Sequence, residues 1–141
     1  DLREQCLKER RSFVFETVFS AQDKIDFIIR AKATGFFIRL FFIGTSSPAI
    51  NASRIARRVM EGGHDVAIPK IISRYQKSII NCCLISKLVD RLYVYDNSVD
   101  NFPAKLQYRL SNGVLVKQYV DNIAEWATRI ISSYPETTVQ D

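Results

Sequence analysis

Histidine, tryptophan and methionine occur once each in 141 residues, while glycine occurs five times and proline four. A lone histidine, His64, excludes a histidine-based metal centre, because zinc takes three or four protein ligands. Gly and Pro at this level exclude collagen-like and low-complexity chains, and no internal repeat is present. The cysteines are an odd set, Cys6, Cys82 and Cys83. Neighbours on a helix point about 100° apart, which fits a reduced interior better than a disulfide framework. No apolar run approaches the roughly 20 residues needed to cross a bilayer, and no signal-peptide pattern is present. The expectation is a cytoplasmic chain with no membrane partner. Strong charge is missing as well. Twenty basic and 15 acidic residues leave +5, which invites anionic partners without naming one.

What is there is ordinary for a globular domain: 47% hydrophobic and 25% charged residues, in a length that can bury one core. Residues 2–10 are helix-compatible, with Leu2 and Cys6 as the expected inner edge. Residues 12–16 read as a short apolar strand ending in an acid. Residues 21–34 form an amphipathic pattern that turns Ile25, Ile28 and Ile29 inward, and Gly35 stops it. Residues 36–43 are almost continuously apolar, the pattern of a strand buried on both faces in a parallel sheet. Strand, helix and strand predict a right-handed βαβ unit. A long helix over 69–89 and a strand over 92–95 follow. Then 106–110 and 114–118 flank Ser-Asn-Gly as a hairpin, and 120–131 predict a final helix.

The most distinctive stretch is SRIARRVMEGGHDVAIPKIISRY, residues 53–75. On a helical wheel Arg54, Arg57 and Arg58 share one side, opposite Ala52, Ile55, Ala56, Val59 and Met60. Gly62-Gly63 suits a left-handed helix stop, and Pro69 suits the first turn of the next helix, which carries Lys70, Arg74 and Lys77. Six basic residues against Glu61 and Asp65 give a local +4 over 54–77. Two such helices on a short hinge form a device for closing on polyphosphate.

With FVFETVFS (13–20), GFFIRLFFI (35–43) and LYVYDNS (92–98), this stretch resembles the C-terminal half of the zeta-toxin-like P-loop kinases. The resemblance covers about residues 2–98. It departs from the family in lacking the G-x-x-x-x-G-K-[ST] loop. It implies an α/β fold: a three-layer, P-loop-kinase-like parallel sheet flanked by helices, incomplete at the N-terminus, with a C-terminal β-hairpin and helix. Residues 1–98 would be the kinase core with an arginine lid at 50–78, and 99–141 the hairpin and last helix. The implied activity is ATP-dependent phosphotransfer to a small hydroxyl-bearing substrate such as a nucleotide sugar, with ATP and Mg²⁺ as cofactors. An antitoxin, or a second chain supplying the missing strand, would be a partner.

The implied site residues are Arg58 and Arg74 on the β- and γ-phosphates, Glu16 and Thr17 at the substrate, and Arg54, His64, Asp96 and Asn97 at the nucleotide; no metal ligand is assigned. Guanidinium fits phosphate as a planar, permanently charged fork, and phosphoryl transfer needs mainly positioning and charge neutralisation. From the residues alone, Glu16 reads equally as a solvated strand end, His64 as a hinge hydrogen-bond partner and Asp96-Asn97 as a turn. Arg57 and Lys77 read as solvated surface. Without the phosphate loop the chain alone should not turn over. Two other readings stand beside this one: a non-catalytic, degenerate kinase half, and a basic-patch module for nucleic acid or an acidic protein. Nucleic acid is disfavoured, because the patch has no interleaved aromatics.

Overall fold

In the computed structural model, residues 1–131 are described. Their elements, in chain order, are α1 (Leu2–Glu9), α2 (Gln22–Ala33), β1 (Arg39–Gly44), α3 (Pro48–Met60), α4 (Ile68–Ile85), β2 (Arg91–Asp96), β3 (Lys105–Ser111), β4 (Val114–Gln118) and α5 (Glu125–Thr128). The fold is α/β, an open four-stranded sheet in the order β1-β2-β3-β4. β1 and β2 are parallel, with Phe42 opposite Val94. β2–β3 and β3–β4 are antiparallel, so the sheet is mixed where a parallel one was expected. The hairpin falls where Ser-Asn-Gly predicts it, with Asn112 and Gly113 both at positive φ.

One face of the sheet carries the core. Leu92, Val94, Tyr108 and Leu110 are fully buried, and Phe42 nearly so. Ile25 and Ile28 of α2, Ile79, Cys82 and Ile85 of α4, and Trp126 and Ala127 of α5 pack on that face. The Tyr108 hydroxyl donates to the Ala127 carbonyl at 2.6 Å, which satisfies the one polar side-chain atom of the largest fully buried side chain. Successive strand residues alternate faces, so Phe41, Ile43, Tyr93 and Arg109 lie on the other side. Phe41 and Ile43 are 56% and 58% exposed there, and α2, α4 and α5 all bury their apolar residues against the opposite face. The third layer of the expected architecture is therefore not formed by the described residues.

Other expectations also need correction. Residues 12–16 form no strand and belong to no sheet. Residues 36–43 do not form a strand buried on both faces; β1 begins at Arg39 and is the edge of the sheet. Its apolar density reports the character of the strand and not its surroundings. On α1 the buried pair is Cys6 and Leu7, while Leu2 is exposed. On α2 Phe27 is buried in place of Ile29, because Phe27 meets Phe13 and Phe15 edge-on. The final helix is a single turn, Glu125–Thr128. Residues 120–124 are instead held by Gln107, whose Oε1 accepts from Ala124 N (2.9 Å), and by Gln118, which donates to the Val120 carbonyl. The remainder of the 99–141 segment, 132–141, lies outside the described residues.

Candidate functional site

Parallel strands present their carboxyl ends to ligands, and α3 follows β1 directly. Ser47 caps α3, accepting from Ala49 N at 3.1 Å, and Pro48 occupies its first turn. After Met60 the chain reverses through Gly62 at φ +93°, and Gly63 N donates to the Arg58 carbonyl at 2.7 Å. A Cβ on Gly63 would lie 2.8 Å from that carbonyl oxygen, so the close turn requires glycine. α4 then starts with Pro69 in its first turn, as the sequence predicts, and packs against α3.

A latch fixes both helices to the end of β1. The Tyr75 hydroxyl on α4 donates to the Thr45 carbonyl at 2.7 Å. The buried Thr45 hydroxyl lies 2.5 Å from Asn51 Oδ1 on α3. Burial pushes the Tyr75 phenol above its ordinary pKa.

Beside the latch lies a cavity of about 1390 Å³. Its lining includes Glu16 and Thr17 from the segment before α2, Arg58 and His64 from α3 and the turn, and Arg74 and Tyr75 from α4. Glu16 and Arg74, 58 positions apart in the chain, are thus brought to the lining of one space. Arg58 reaches it because Asn51, Ile55 and Arg58 form one stripe of α3. Arg74 reaches it on the stripe of Ile71, Arg74 and Ser78.

The three arginines of α3 do not act together. Arg54 Nε donates to Asp100 Oδ1 at 3.0 Å, and Arg57 Nη2 reaches Oδ2 at 3.4 Å. The hydrogen bond from Arg54 holds the Asp100 carboxyl below its ordinary pKa, with Arg57 adding to it. Arg54 does not line the cavity, and neither do Asp96 and Asn97. Asp96 Oδ1 accepts from Trp126 Nε1 at 2.7 Å and from Ser98 Oγ at 2.6 Å. Ser98 Oγ in turn accepts from Ser46 N, and Asn97 N donates to the Gly44 carbonyl. These two residues tie the ends of β1 and β2 together. Ion-pair partners for Arg54 sit 46 residues away, so helix periodicity alone could not find them. Thr45, Asn51, Tyr75 and Lys24 also line the cavity and were not assigned from sequence, although Thr45 was visible as a strand-end hydroxyl.

No group of three or more His, Cys, Asp or Glu side chains placed to hold a metal ion occurs among the described residues. No helix among them is long and apolar enough to cross a membrane.

No family model matches the chain, and no solved structure matches it. A Haemophilus influenzae protein, named only as an uncharacterized protein, is 35% identical over 70 residues, half of this chain and half of its own length. The chain therefore spans about half the length of the curated relative it matches.

Proposed function

We propose that this chain is the arginine-bearing half of an ATP-dependent phosphotransferase of the zeta-toxin-like kind, acting on a small hydroxyl-bearing substrate such as a nucleotide sugar. The observation that carries this reading is that Glu16, Arg58, His64 and Arg74 line one cavity that extends past the carboxyl end of β1. Arg58 and Arg74 present two permanently charged forks to the same space, an arrangement suited to a polyphosphate whose charge grows during transfer. Glu16, in the same lining, accepts a hydrogen bond from the substrate hydroxyl and orients it, with Thr17 beside it. ATP supplies the transferable phosphoryl group. Among the described residues no cluster of three or more His, Cys, Asp or Glu side chains is placed to hold Mg²⁺. Arg54 is spent on Asp100, which also weakens the basic-patch alternative, since two of the six cations of 54–77 are neutralised in part.

The test is reconstitution. A polypeptide carrying a G-x-x-x-x-G-K-[ST] loop, mixed with this chain, should restore transfer from ATP to a nucleotide sugar; an antitoxin would be recognised as a protein that blocks it. Arg58→Ala and Arg74→Ala should each slow turnover by about 10²–10⁴-fold, whereas Arg57→Ala should do little. Equal losses at Arg57 and Arg58 would remove the distinction on which the proposal rests.

A further inference from the structure

The side of the sheet turned away from the core carries aromatic rings and cations in register. Phe41 lies opposite Tyr93, Tyr93 opposite Arg109 and Arg109 opposite Lys117, one row across all four strands. Phe41 and Tyr93 stack, with ring centroids 4.9 Å apart and an interplanar angle of 11°. In the neighbouring row Arg39 lies opposite Arg91, and both guanidiniums gather over the Phe37 ring, at 4.9 and 5.7 Å from its centroid. Phe37 and Phe41 are each more than half exposed. Arg91, with Arg109 adding to it, holds the Tyr93 phenol below its ordinary pKa, so two cations stand at the edge of this ring pair. None of Arg39, Arg91, Arg109 and Lys117 pairs with a carboxylate among the described residues. The one acid within the four strands, Asp96, bonds Trp126 on the core side instead.

We propose that this sheet face is a platform for single-stranded nucleic acid, with bases stacking on Phe37 and on the Phe41–Tyr93 pair and phosphates meeting Arg39, Arg91, Arg109 and Lys117. Rings alone would suit an apolar partner, and cations alone a solvated surface. Rings and cations interleaved, with one sign of charge, complement a chain that alternates flat bases with anionic phosphates. Size agrees: four strands about 4.8 Å apart make a face about 14 Å wide, room for two or three stacked bases. A covering protein layer would take four cations out of water with no carboxylate from this chain, which is unfavourable unless the partner supplies each one. A second copy would set this cluster of cations against another of the same sign. A duplex keeps its base faces stacked on one another and away from the rings. The aromatic interleaving that 54–77 lacks is present here, on a different surface, so the inference stands or falls separately from the phosphotransfer reading.

The full chain would be titrated into fluorescein-labelled oligothymidylate and oligouridylate of about 12 nucleotides, with anisotropy read at several salt concentrations. The single strands should bind, with log K falling against log salt at a slope of about −3, since each neutralised phosphate of a single strand contributes about −0.7. Tighter binding of one supports the platform and assigns it to RNA or to DNA. Phe41→Ala and Tyr93→Ala should each weaken binding by about tenfold or more at unchanged slope. Arg91→Gln should make the slope shallower by about 0.7. If an alanine variant does not fold, Phe41→Leu or Tyr93→Leu keeps apolar bulk and still removes the ring. Absence of binding at low salt would overturn the proposal, as would equal affinity for oligothymidylate paired with oligoadenylate. A loss on Lys77→Gln that matches Tyr93→Ala would move binding to 54–77 and overturn it too. Phe41 and Tyr93 ring resonances that respond to protein concentration, or to the loop-bearing polypeptide, but not to oligonucleotide would give the face to a second copy or another protein, and also overturn it.

Discussion

At the scale of single residues, Asp90 shows how a carboxylate holds the start of β1. Its Oδ2 accepts from Ile38 N at 2.7 Å, and its Oδ1 pairs with Lys32 at 2.8 Å. Burial works to raise its pKa, but Lys32 and the Ile38 N–H outweigh burial and leave it below the ordinary value. A folded-state pKa that is depressed gives stability present above the unfolded value of about 3.9 and lost as pH falls through the folded one. Asp90→Ala should therefore destabilise by about 1–3 kcal/mol near neutral pH. In thermal melts the gap from wild type should narrow below about pH 4; a gap independent of pH would assign the effect to packing. Gly44 is a second case. A Cβ there would sit 2.6 Å from Trp126 Cζ3 and closer still to Cη2, so Gly44→Ala should cost about 1–3 kcal/mol by overpacking. Neither constraint is visible in sequence, because each partner lies more than 50 residues away or on another element. Glu16→Gln should leave the melting temperature unchanged, since the side chain is exposed, and should depress phosphotransfer in the reconstituted enzyme. Unchanged transfer would return Glu16 to a solvated chain position.

At the scale of elements, local chemistry was the most legible part. Gly62-Gly63, Pro69 and Ser-Asn-Gly act through φ preferences that need no tertiary partner, and the structure places turns and helix starts there. Helix wheels fared less well. On the side of α3 opposite the arginines no residue is fully buried: Ala52 and Ile55 are half-buried and Met60 is 89% exposed. Its arginines divide instead between Asp100 and the cavity. That division has a consequence for anion binding. Asp100→Asn frees Arg54 and Arg57 on a surface away from the cavity lining. It should change the affinity for inorganic tripolyphosphate by no more than about twofold at physiological salt, where exposed charges are largely screened. A gain of an order of magnitude, read by calorimetry, would bring Arg54 into the site.

At the scale of the whole molecule, the sequence announced strands 36–43 and 92–95 and the hairpin, and the sheet contains all of these with shifted bounds. It also announced layers that the described residues do not form. The reason is physical: an apolar strand records the environment it is suited to, and β1 has one paired side and one free side here. Glu16, Arg58, His64 and Arg74 all line the cavity, while the resemblance that singled them out has no matching family model behind it. The Thr45–Asn51–Tyr75 latch that positions the two helices was not legible in the sequence, because hydroxyl and amide pairs leave no periodic signal. The claim that unites the molecule is that Arg58 and Arg74 form one polyphosphate site while Arg57 stays outside it. Arginine Nε resonances of the full chain, followed during titration with inorganic tripolyphosphate, test this directly. The account predicts that Arg58 and Arg74 shift together along one binding curve, with Arg57 unmoved. Three equal shifts, or separate curves for Arg58 and Arg74, would contradict it.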